Sequence, residues 1–290
     1  MYDYNTSNKS FIDLKQKLDK MGIENQEYLL LLNENLSSID PWDEGLSEHE
    51  KAEIVQECEL NIWYFLREVL RLPFDFINKS NPKFSINIGV LSMIFLWLNG
   101  YNQMTIMPST MFKTGTICAL YAYLKYIAGL SLTNINIKSK TPAKARSTKL
   151  KIASYKVPDY LKASIDKGNK EKHILVDEFA DIPENEKIWK KVQDKDNVVL
   201  LTTAGDLGTE SGRFAFSLKN KGTPWDISYI DAKKEYLDEL YASSGEALFN
   251  VNYTAKDLGK MPESLKRSIS EIRCIVDRDS LDRKVDLIWK

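Results

Sequence analysis

The sequence predicts an α/β fold in which a mostly parallel, doubly wound sheet follows an N-terminal helical segment. From residue 82 onwards, short apolar runs of strand length alternate with longer segments of helical spacing. One of these runs, HILVDEF, is largely apolar, as expected of a strand that is buried on both faces. The first 56 residues are instead charged, with apolar residues at helical spacing. Strands separated by helices in this way favour a parallel sheet that is covered by helices.

The N-terminal segment is predicted to be helical. Apolar residues recur at helical spacing in FIDLKQKLDKM and in NQEYLLLLNENL. A longer amphipathic helix is predicted from Ser47, where Glu50 completes a capping box, to about Arg71, just before Pro73. The apolar residues of this helix form a stripe that we expect to be buried: Ile62, Trp63, Leu66, Val69 and Leu70.

The elements of the sheet region follow in order. The predicted helices are IGVLSMIFLWLNG, TGTICALYAYLKYIAGL, the basic TPAKARSTKLKIASYK and NEKIWKKVQ. The predicted strands are MTIMP, TNINIKS, HILVDEF, NVVLLTTAG and WDISYID. The charged end of the chain, from AKDLGK onwards, is predicted to be helical. The expected organisation is an N-terminal helical extension (1–56), a core (57–245) and a C-terminal helical or linker segment (246–290).

Composition excludes several kinds of site. The net charge of −1 over 290 residues provides no overall attraction to nucleic acid, so any DNA contact must come from a local patch. Three cysteines without CxxC spacing and only two histidines argue against disulfides, zinc and a histidine-based nucleophile. The N-terminus lacks the apolar segment of a signal peptide, and the longest apolar run (88–98) is too short to span a bilayer. We therefore expect a cytoplasmic protein with no membrane partner.

The strand HILVDEF ends in two carboxylates, Asp177 and Glu178. A parallel strand carries its last residues to the edge of the sheet where α/β folds bind ligands. There Asp177 could hold Mg²⁺ and Glu178 could polarise an attacking water. Strand ends also carry acidic residues that are merely solvated, so the pair alone leaves both interpretations open.

The order of three motifs favours a nucleotide site. Lys113 and Thr114 stand between a predicted strand and a predicted helix, about sixty residues before the DE strand. A third strand, NVVLLTTAG, ends in Thr202 and Thr203 some twenty residues after the DE strand. P-loop ATPases of the helicase and translocase kind use this order, in which the lysine contacts the β- and γ-phosphates and the threonine binds Mg²⁺. In that scheme, the two threonines of the third strand couple hydrolysis to movement.

The chain resembles the large terminase subunit of tailed phages, the ATPase that packages DNA. The resemblance runs through NIWYFLRE, KTGTICALYAYLKYIAG, ILVDEFADIPENEKIW and VVLLTTAGDLGTESGRFA, and covers roughly residues 55 to 235. It implies an additional-strand, RecA-like P-loop ATPase fold that uses ATP and Mg²⁺ to move double-stranded DNA into a capsid. It also implies self-association into a ring, with the portal protein and the small terminase subunit as partners. The expected location is the host cytoplasm and, transiently, the procapsid portal, and we expect no nuclease domain within this chain.

The family pattern can be carried onto this sequence residue by residue. The family's phosphate loop usually reads P-R-Q-x-G-K-[ST], whereas here Ser109 replaces the arginine and Phe112 replaces the glycine. The resemblance assigns nucleotide binding to six residues: Ser109, Thr110, Met111, Phe112, Lys113 and Thr114. It assigns Mg²⁺ to Thr114 and Asp177, catalysis to Glu178, Lys113 and Arg146, and coupling to Thr202 and Thr203. Because a glycine and an arginine are missing, a weakly active or inactive domain that binds nucleotide or serves as a structural subunit remains the alternative.

Two basic features complete the predicted site. Arg146 is the leading candidate for an arginine finger supplied to a neighbouring subunit, with Arg213 as the second candidate and a solvated helix face as the alternative. The window around Arg146 is rich in cations and could contact DNA phosphates without regard to sequence. The candidates for DNA contact are Lys138, Lys140, Lys144, Arg146, Lys149, Lys151, Lys156, Lys162, Lys167 and Lys170. A solvated charged face is the alternative interpretation of this run as well.

Overall fold

The structure, a computed structural model, describes residues 1–21, 26–76, 78–107, 109, 111–162, 168–221, 229–230, 250–252, 283 and 289–290. The chain forms two compact units. The first, here called the helical unit, consists of Met1–Asn87, Ile117–Asn134 and Lys149–Glu171. The second, here called the sheet unit, consists of Ile88–Thr116, Ile135–Thr148 and Lys172–Lys290.

The elements alternate along the chain as the sequence pattern predicts from residue 88 onwards. The helices are α1 (Lys9–Met21), α2 (Glu48–Leu60), α3 (Ile62–Tyr64), α4 (Ile88–Leu98), α5 (Lys113–Tyr126), α6 (Pro142–Ser154), α7 (Asp159–Lys162), α8 (Asn185–Val192) and α9 (Glu210–Lys221). The strands are β1 (Tyr2–Asp3), β2 (Leu30–Leu31), β3 (Gln103–Ile106), β4 (Ile135–Lys138), β5 (His173–Asp177), β6 (Val198–Thr202), β7 (Tyr229–Ile230) and β8 (Asn250–Asn252). Helices α5 and α6 contribute residues to both units.

The N-terminal segment is less helical than predicted. FIDLKQKLDKM forms α1, as expected, but NQEYLLLLNENL forms 3₁₀ turns on either side of β2, which pairs with β1 in antiparallel fashion. The capping box is confirmed, since the Ser47 side chain accepts a hydrogen bond from the backbone of Glu50. The prediction of one helix reaching Arg71 is wrong. Asn61 leaves the helical conformation (φ −137°, ψ 89°). Its side chain accepts a hydrogen bond from the backbone of Tyr64, so Asn61 is the N-cap of α3.

The predicted apolar stripe is buried in spite of this interruption. A π-helical turn (Phe65–Val69) follows α3, and all five residues of the stripe are at most 6% exposed. The same turn buries Arg67, whose guanidinium donates to the Tyr28 carbonyl and lies over the Tyr4 ring, 4.3 Å from its centroid. Burial lowers the pKa of Arg67, and the neighbouring Glu68, 3.3 Å from its Nε, opposes that shift. An ion pair therefore anchors this turn in the helical unit.

The sheet unit contains the parallel sheet that the sequence predicts. Four parallel strands lie in the order β4-β5-β6-β3, and the short strands β8 and β7 extend the sheet beyond β3, also in parallel. In register, Ile106 of β3 lies beside Thr202 of β6, and Asp177 of β5 lies beside Leu201. The α/β class with a mostly parallel sheet is thus confirmed. The carboxyl ends of the strands that carry the predicted motifs meet at one edge.

Helices cover both faces of this sheet. Side chains alternate along β3, so that Met104 and Ile106 point to one face and Gln103 to the other. Met104 and Ile106 belong to an apolar cluster with residues of α8 and α9. On the other face, the Gln103 amide donates to the Met93 carbonyl of α4 (3.2 Å). The polar side chain of this central, fully buried strand is therefore satisfied by the helix that covers it.

Helix α4 is the apolar run that was too short to span a bilayer. It ends in a Schellman-type cap, in which Gly100 (φ 73°) donates to the Trp97 carbonyl (3.0 Å) and Tyr101 donates to the Leu96 carbonyl (3.1 Å). In the parts of the chain that the structure describes, no helix combines the length and the apolarity needed to cross a membrane.

The sheet continues past residue 245. Asn250–Asn252 forms β8, which pairs with β3, although it lies in the segment predicted as a helical or linker region (246–290). The rest of that segment, apart from residues 283 and 289–290, lies outside the described residues, as does most of the predicted strand WDISYID. The predicted boundary between the N-terminal extension and the core, at residues 56 and 57, falls inside α2.

Candidate functional site

Three loops meet at the carboxyl edge of the sheet, after β3, β5 and β6. They carry the predicted motifs, and the described site residues all belong to the sheet unit. Pro108 and Thr110 lie outside the described residues, so the assignment of Thr110 stays a prediction. Ser109 is half-buried and Met111 is buried within the loop after β3.

The structure brings Thr114 and Asp177 into direct contact. The Thr114 hydroxyl, in the first turn of α5, donates to Asp177 Oδ2 (3.0 Å) across 63 positions of sequence. The other carboxylate oxygen accepts a bond from the backbone of Glu178 (3.0 Å). Burial raises the pKa of Asp177, whereas the bond from Thr114 and the charge of Lys113 lower it. A hydroxyl and a carboxylate from two predicted motifs therefore form one cluster of oxygen ligands.

Lys113 lies beside this cluster at the start of α5. Its ammonium group is buried and donates to the Met107 carbonyl (2.8 Å), at the opposite end of the same loop. Desolvation lowers the pKa of Lys113 to about 8, although the charges of Asp177 and Glu178 favour the protonated form. The lysine thus links the two ends of the loop after β3.

Phe112 adopts the backbone conformation that glycine normally supplies. Its φ is 67°, in the left-handed region, which costs a non-glycine residue about 1 kcal/mol or more. Its ring lies against Gly115, because a methyl group placed on Gly115 would be only 2.4 Å from Cε2 of the ring. The loop therefore turns at Phe112 with a positive φ, and the ring folds over the first turn of α5.

This packing predicts that Phe112 and Gly115 are energetically coupled. Gly115→Ala should lower the free energy of unfolding by about 1–3 kcal/mol, because the new methyl group overlaps the ring. In a Phe112→Gly background the same change should cost nothing, or stabilise α5 by up to about 1 kcal/mol through helix propensity. A double-mutant cycle by denaturant unfolding measures this coupling. An equal cost of Gly115→Ala in both backgrounds would contradict the ring position.

Glu178 is also held in an uncommon conformation. Its φ is 60°, and a 3₁₀ turn (Phe179–Asp181) follows it. Its carboxylate accepts a bond from the Ser139 hydroxyl (3.2 Å) and forms an ion pair with Lys144. Ser139 was not among the predicted site residues, and Lys144 was predicted only to contact DNA. Ser139 directly follows β4, and this was the one available signal, since the ends of neighbouring parallel strands share an edge.

Thr202 connects the end of β6 to the turn after β5. Its hydroxyl accepts a bond from the backbone of Ala180 (3.1 Å) and donates to the Thr203 carbonyl (2.8 Å). Thr202 is 2% exposed, whereas Thr203 is half-buried. The first of the two predicted coupling residues thus contacts the turn that begins at Glu178.

The two candidate arginines differ in their surroundings. Arg146 is exposed on α6, two positions after Lys144. At about 100° per residue, two positions turn a helix by about 200°, so Arg146 faces away from Glu178, which Lys144 contacts. Arg213 is also exposed, but its guanidinium donates to the Leu207 carbonyl (2.8 Å). Arg146 is therefore better placed to reach another molecule.

Some of the lysines that were predicted to contact DNA form ion pairs within the chain. Lys144 pairs with Glu178, and Lys162 pairs with Asp159 (2.5 Å). Lys167 lies outside the described residues. Four candidates belong to the sheet unit, namely Lys138, Lys140, Lys144 and Arg146, and the others that are described belong to the helical unit.

The donor set fits a magnesium ion that is shared with a phosphate ligand. Among the residues described by the structure, no three or more His, Cys, Asp or Glu side chains form a group that could hold a metal ion. Mg²⁺ is commonly held by only one or two carboxylates, together with phosphate oxygens and waters. The Thr114 hydroxyl and the Asp177 carboxylate are ligands of this kind.

Comparison with known proteins adds no family assignment. No protein-family model matches the chain, and no curated protein matches it. The resemblance to large terminase subunits therefore rests on the sequence motifs quoted above.

Proposed function

We propose that this chain is the ATPase motor domain of a phage terminase large subunit, which couples Mg²⁺-ATP hydrolysis to translocation of double-stranded DNA. The observation that carries the proposal is the 3.0 Å contact between Thr114 and Asp177, with the Lys113 ammonium beside it. A strand–loop–helix that supplies a lysine and a threonine, opposite an aspartate at the end of a buried strand, is the arrangement required to bind Mg²⁺ and triphosphate.

The order of the strands also supports the proposal. Strand β6 lies between β3, which precedes the lysine loop, and β5, which carries Asp177. A parallel sheet in this order is compatible with the additional-strand P-loop fold that the resemblance implies. Sheets of this topology are not restricted to ATPases, so the order adds to the residue contacts and does not replace them.

Each residue of the site then has a role. Lys113 would leave the Met107 carbonyl to contact the β- and γ-phosphates, at the N-terminus of α5. Thr114 and Asp177 would hold Mg²⁺, which neutralises phosphate charge and orients the triphosphate. Glu178 would orient the attacking water and accept its proton. Thr202 would pass changes at the end of β6 to the turn that carries Glu178.

A second candidate function is a domain that binds nucleotide without turning it over. Phe112 favours this alternative, because its phenyl ring stands where the family has glycine. Ser109 favours it too, since it replaces the family's arginine, which would supply a second cation near the γ-phosphate. Even so, the left-handed φ of Phe112 preserves the turn of the loop.

Binding and hydrolysis measured side by side separate the two functions. We expect Mg²⁺-dependent ATP binding, followed by phosphate release, with both lost in Lys113→Ala. Binding without phosphate release would favour the second function, and the absence of binding at millimolar ATP would contradict both. Phe112→Gly, alone or with Ser109→Arg, should raise affinity or rate if the loop is a weakened phosphate site.

The buried lysine predicts a pH dependence of ATP affinity. Phosphates bind the protonated ammonium, and the pKa of Lys113 in the free protein is about 8. Above that pH, binding must take up a proton, so the affinity should fall by up to about tenfold per pH unit. Equilibrium binding from pH 7 to 9.5 measures the effect. Lys113→Arg stays protonated and should bind with a flat profile, and a flat profile for the unaltered chain would contradict this assignment.

The remaining partners belong to the same proposal. Double-stranded DNA, the portal protein, the small terminase subunit and further copies of the chain in a ring follow from the resemblance. Lys140, just before α6, and Arg146 on α6 are exposed cations, which supports DNA contact by phosphate attraction. Replacing Lys140 by Ala should weaken binding equally for all sequences, and should lower the slope of log affinity against log salt by about 1. A difference between sequences would argue against this contact.

A further inference from the structure

The turn that carries Glu178 is tied to α9 by a buried side chain with no role in the site so far. Asn185, the first residue of α8, is 1% exposed. Its side-chain amide donates to the Phe179 carbonyl (3.0 Å) and to the Ser211 carbonyl (2.9 Å). One carboxamide therefore connects the residue after Glu178 with the first turn of α9.

The segment from Glu178 to Asn185 needs such support because two of its residues are in the left-handed conformation. Glu178 has φ 60° and Glu184 has φ 57°, and conformations of this kind persist in non-glycine residues only where neighbouring structure holds them. Thr202 holds one side of the turn through the Ala180 backbone. Asn185 holds the other side, at Phe179.

Close packing reinforces the same connection. A Cβ on Gly205 would lie 2.9 Å from both the Ala180 side chain and the Gly212 backbone, so Gly205 fits tightly between the turn and α9. The rings of Phe179 and Phe214 contact each other with centroids 6.4 Å apart. The turn after β5 and the start of α9 are thus packed and hydrogen-bonded as one piece.

We infer that Asn185 is a positioning residue for Glu178, which fixes the direction of its carboxylate by holding the Phe179 carbonyl against α9. The inference rests on the proposed function, in which Glu178 acts on the attacking water. Displacements of about 1 Å at a reacting group can cost 100-fold in rate. Loss of the two donors of Asn185 should therefore lower kcat without changing how ATP binds.

The chain contains a matched control for this experiment. Asn8 is also buried (3% exposed), and its amide likewise donates to two backbone carbonyls, those of Arg67 (3.1 Å) and Phe84 (3.0 Å). Asn8 and both partners belong to the helical unit. Asn8→Asp and Asn185→Asp thus remove the same kind of bonds, but only the second does so beside Glu178.

The test compares these variants, and Asn185→Ala in case the aspartate variant does not fold. We expect both Asn185 variants to lose about 10- to 100-fold in kcat with KM for ATP unchanged within about twofold. We expect Asn8→Asp to keep the kcat of the unaltered chain, even if its melting temperature falls as much as that of the Asn185 variants. Hydrogen exchange should become faster in residues 178–182 of the Asn185 variants and stay unchanged there in Asn8→Asp.

The outcomes separate this inference from the proposed function. If the chain hydrolyses ATP and the Asn185 variants keep the kcat of Asn8→Asp, the inference is wrong and the proposed function stands. If the unaltered chain does not hydrolyse ATP, the catalytic function fails, and hydrogen exchange decides the role of Asn185. Unchanged hydrogen exchange in residues 178–182 of the Asn185 variants would then overturn the role of Asn185. Faster exchange confined to those residues and α9 would support it.

Discussion

Glu178→Gln is expected to abolish ATP hydrolysis while leaving ATP binding intact. The amide keeps the shape of the side chain but cannot accept a proton, and a positioned general base typically contributes 10²- to 10⁴-fold to a rate. We therefore expect kcat to fall by about 10³-fold, with the dissociation constant of Mg²⁺-ATP unchanged within about threefold. Phosphate release and equilibrium binding on the same preparation provide the measurement. Folding should be unaffected, because the ion-pair partner Lys144 remains 55% exposed and hydrated.

Glu184 provides the matched control for this prediction. It directly precedes α8, six positions after Glu178, with nearly the same φ (57° against 60°), and its exposed carboxylate pairs with Lys187 (2.5 Å). Glu184→Gln should keep the full rate. If Glu178→Gln hydrolyses ATP as fast as Glu184→Gln, Glu178 is not the general base, and the proposed mechanism loses its central residue.

The order of strands and helices in the sheet unit could be predicted because its local signals agree with the fold. HILVDEF and NVVLLTTAG are apolar runs of strand length, and both form parallel strands in the centre of the sheet. Strand β8 could not be predicted in this way. It has three residues, two of them asparagine, and it exists through its pairing with β3.

The helical unit was predicted less well because polar contacts of the Asn61 side chain interrupt its pattern. The apolar spacing from Ser47 to Arg71 fits one helix, and the stripe it defines is indeed buried. Asn61 nevertheless breaks the helix, since its side chain caps the next turn and also donates to the Leu30 carbonyl (2.9 Å). Such a long-range partner leaves no trace in periodicity.

The candidate site shows the same division between motif residues and supporting residues. Lys113, Thr114 and Asp177 were found because their chemistry requires particular residue types in a particular order. Ser139, Lys144 and Asn185 touch the turn of Glu178, but the sequence pattern gives none of them a role at Glu178. Their roles depend on which side chains the sheet edge brings together, and that information appears only in three dimensions.

Arg146→Ala is expected to abolish the hydrolysis that depends on self-association, while the isolated chain still binds ATP. Arg146 lies on the opposite face of α6 from Lys144, which contacts the Glu178 of its own chain, so its guanidinium is placed to act on a nucleotide held by a neighbour. Arginine fingers supplied by a neighbour contribute about 10³- to 10⁵-fold in rate. We therefore expect the hydrolysis rate per chain to rise with protein concentration, and this rise to disappear in Arg146→Ala. Lys149→Ala, a change of charge on the same helix, serves as the control and should keep the rise.

Mixing two inactive variants tests the action between neighbours directly. A chain with Arg146→Ala retains Glu178, and a chain with Glu178→Gln retains Arg146, so a mixed assembly contains sites with both groups. Hydrolysis should therefore return when the two variants are mixed, and should stay absent when both changes are in one chain. If Arg146→Ala keeps the concentration-dependent rise, or if the mixture stays inactive while Lys149→Ala is active, Arg146 does not act across the interface. In that case, another group must stabilise the γ-phosphate, and Arg213, the second candidate, is the next residue to test.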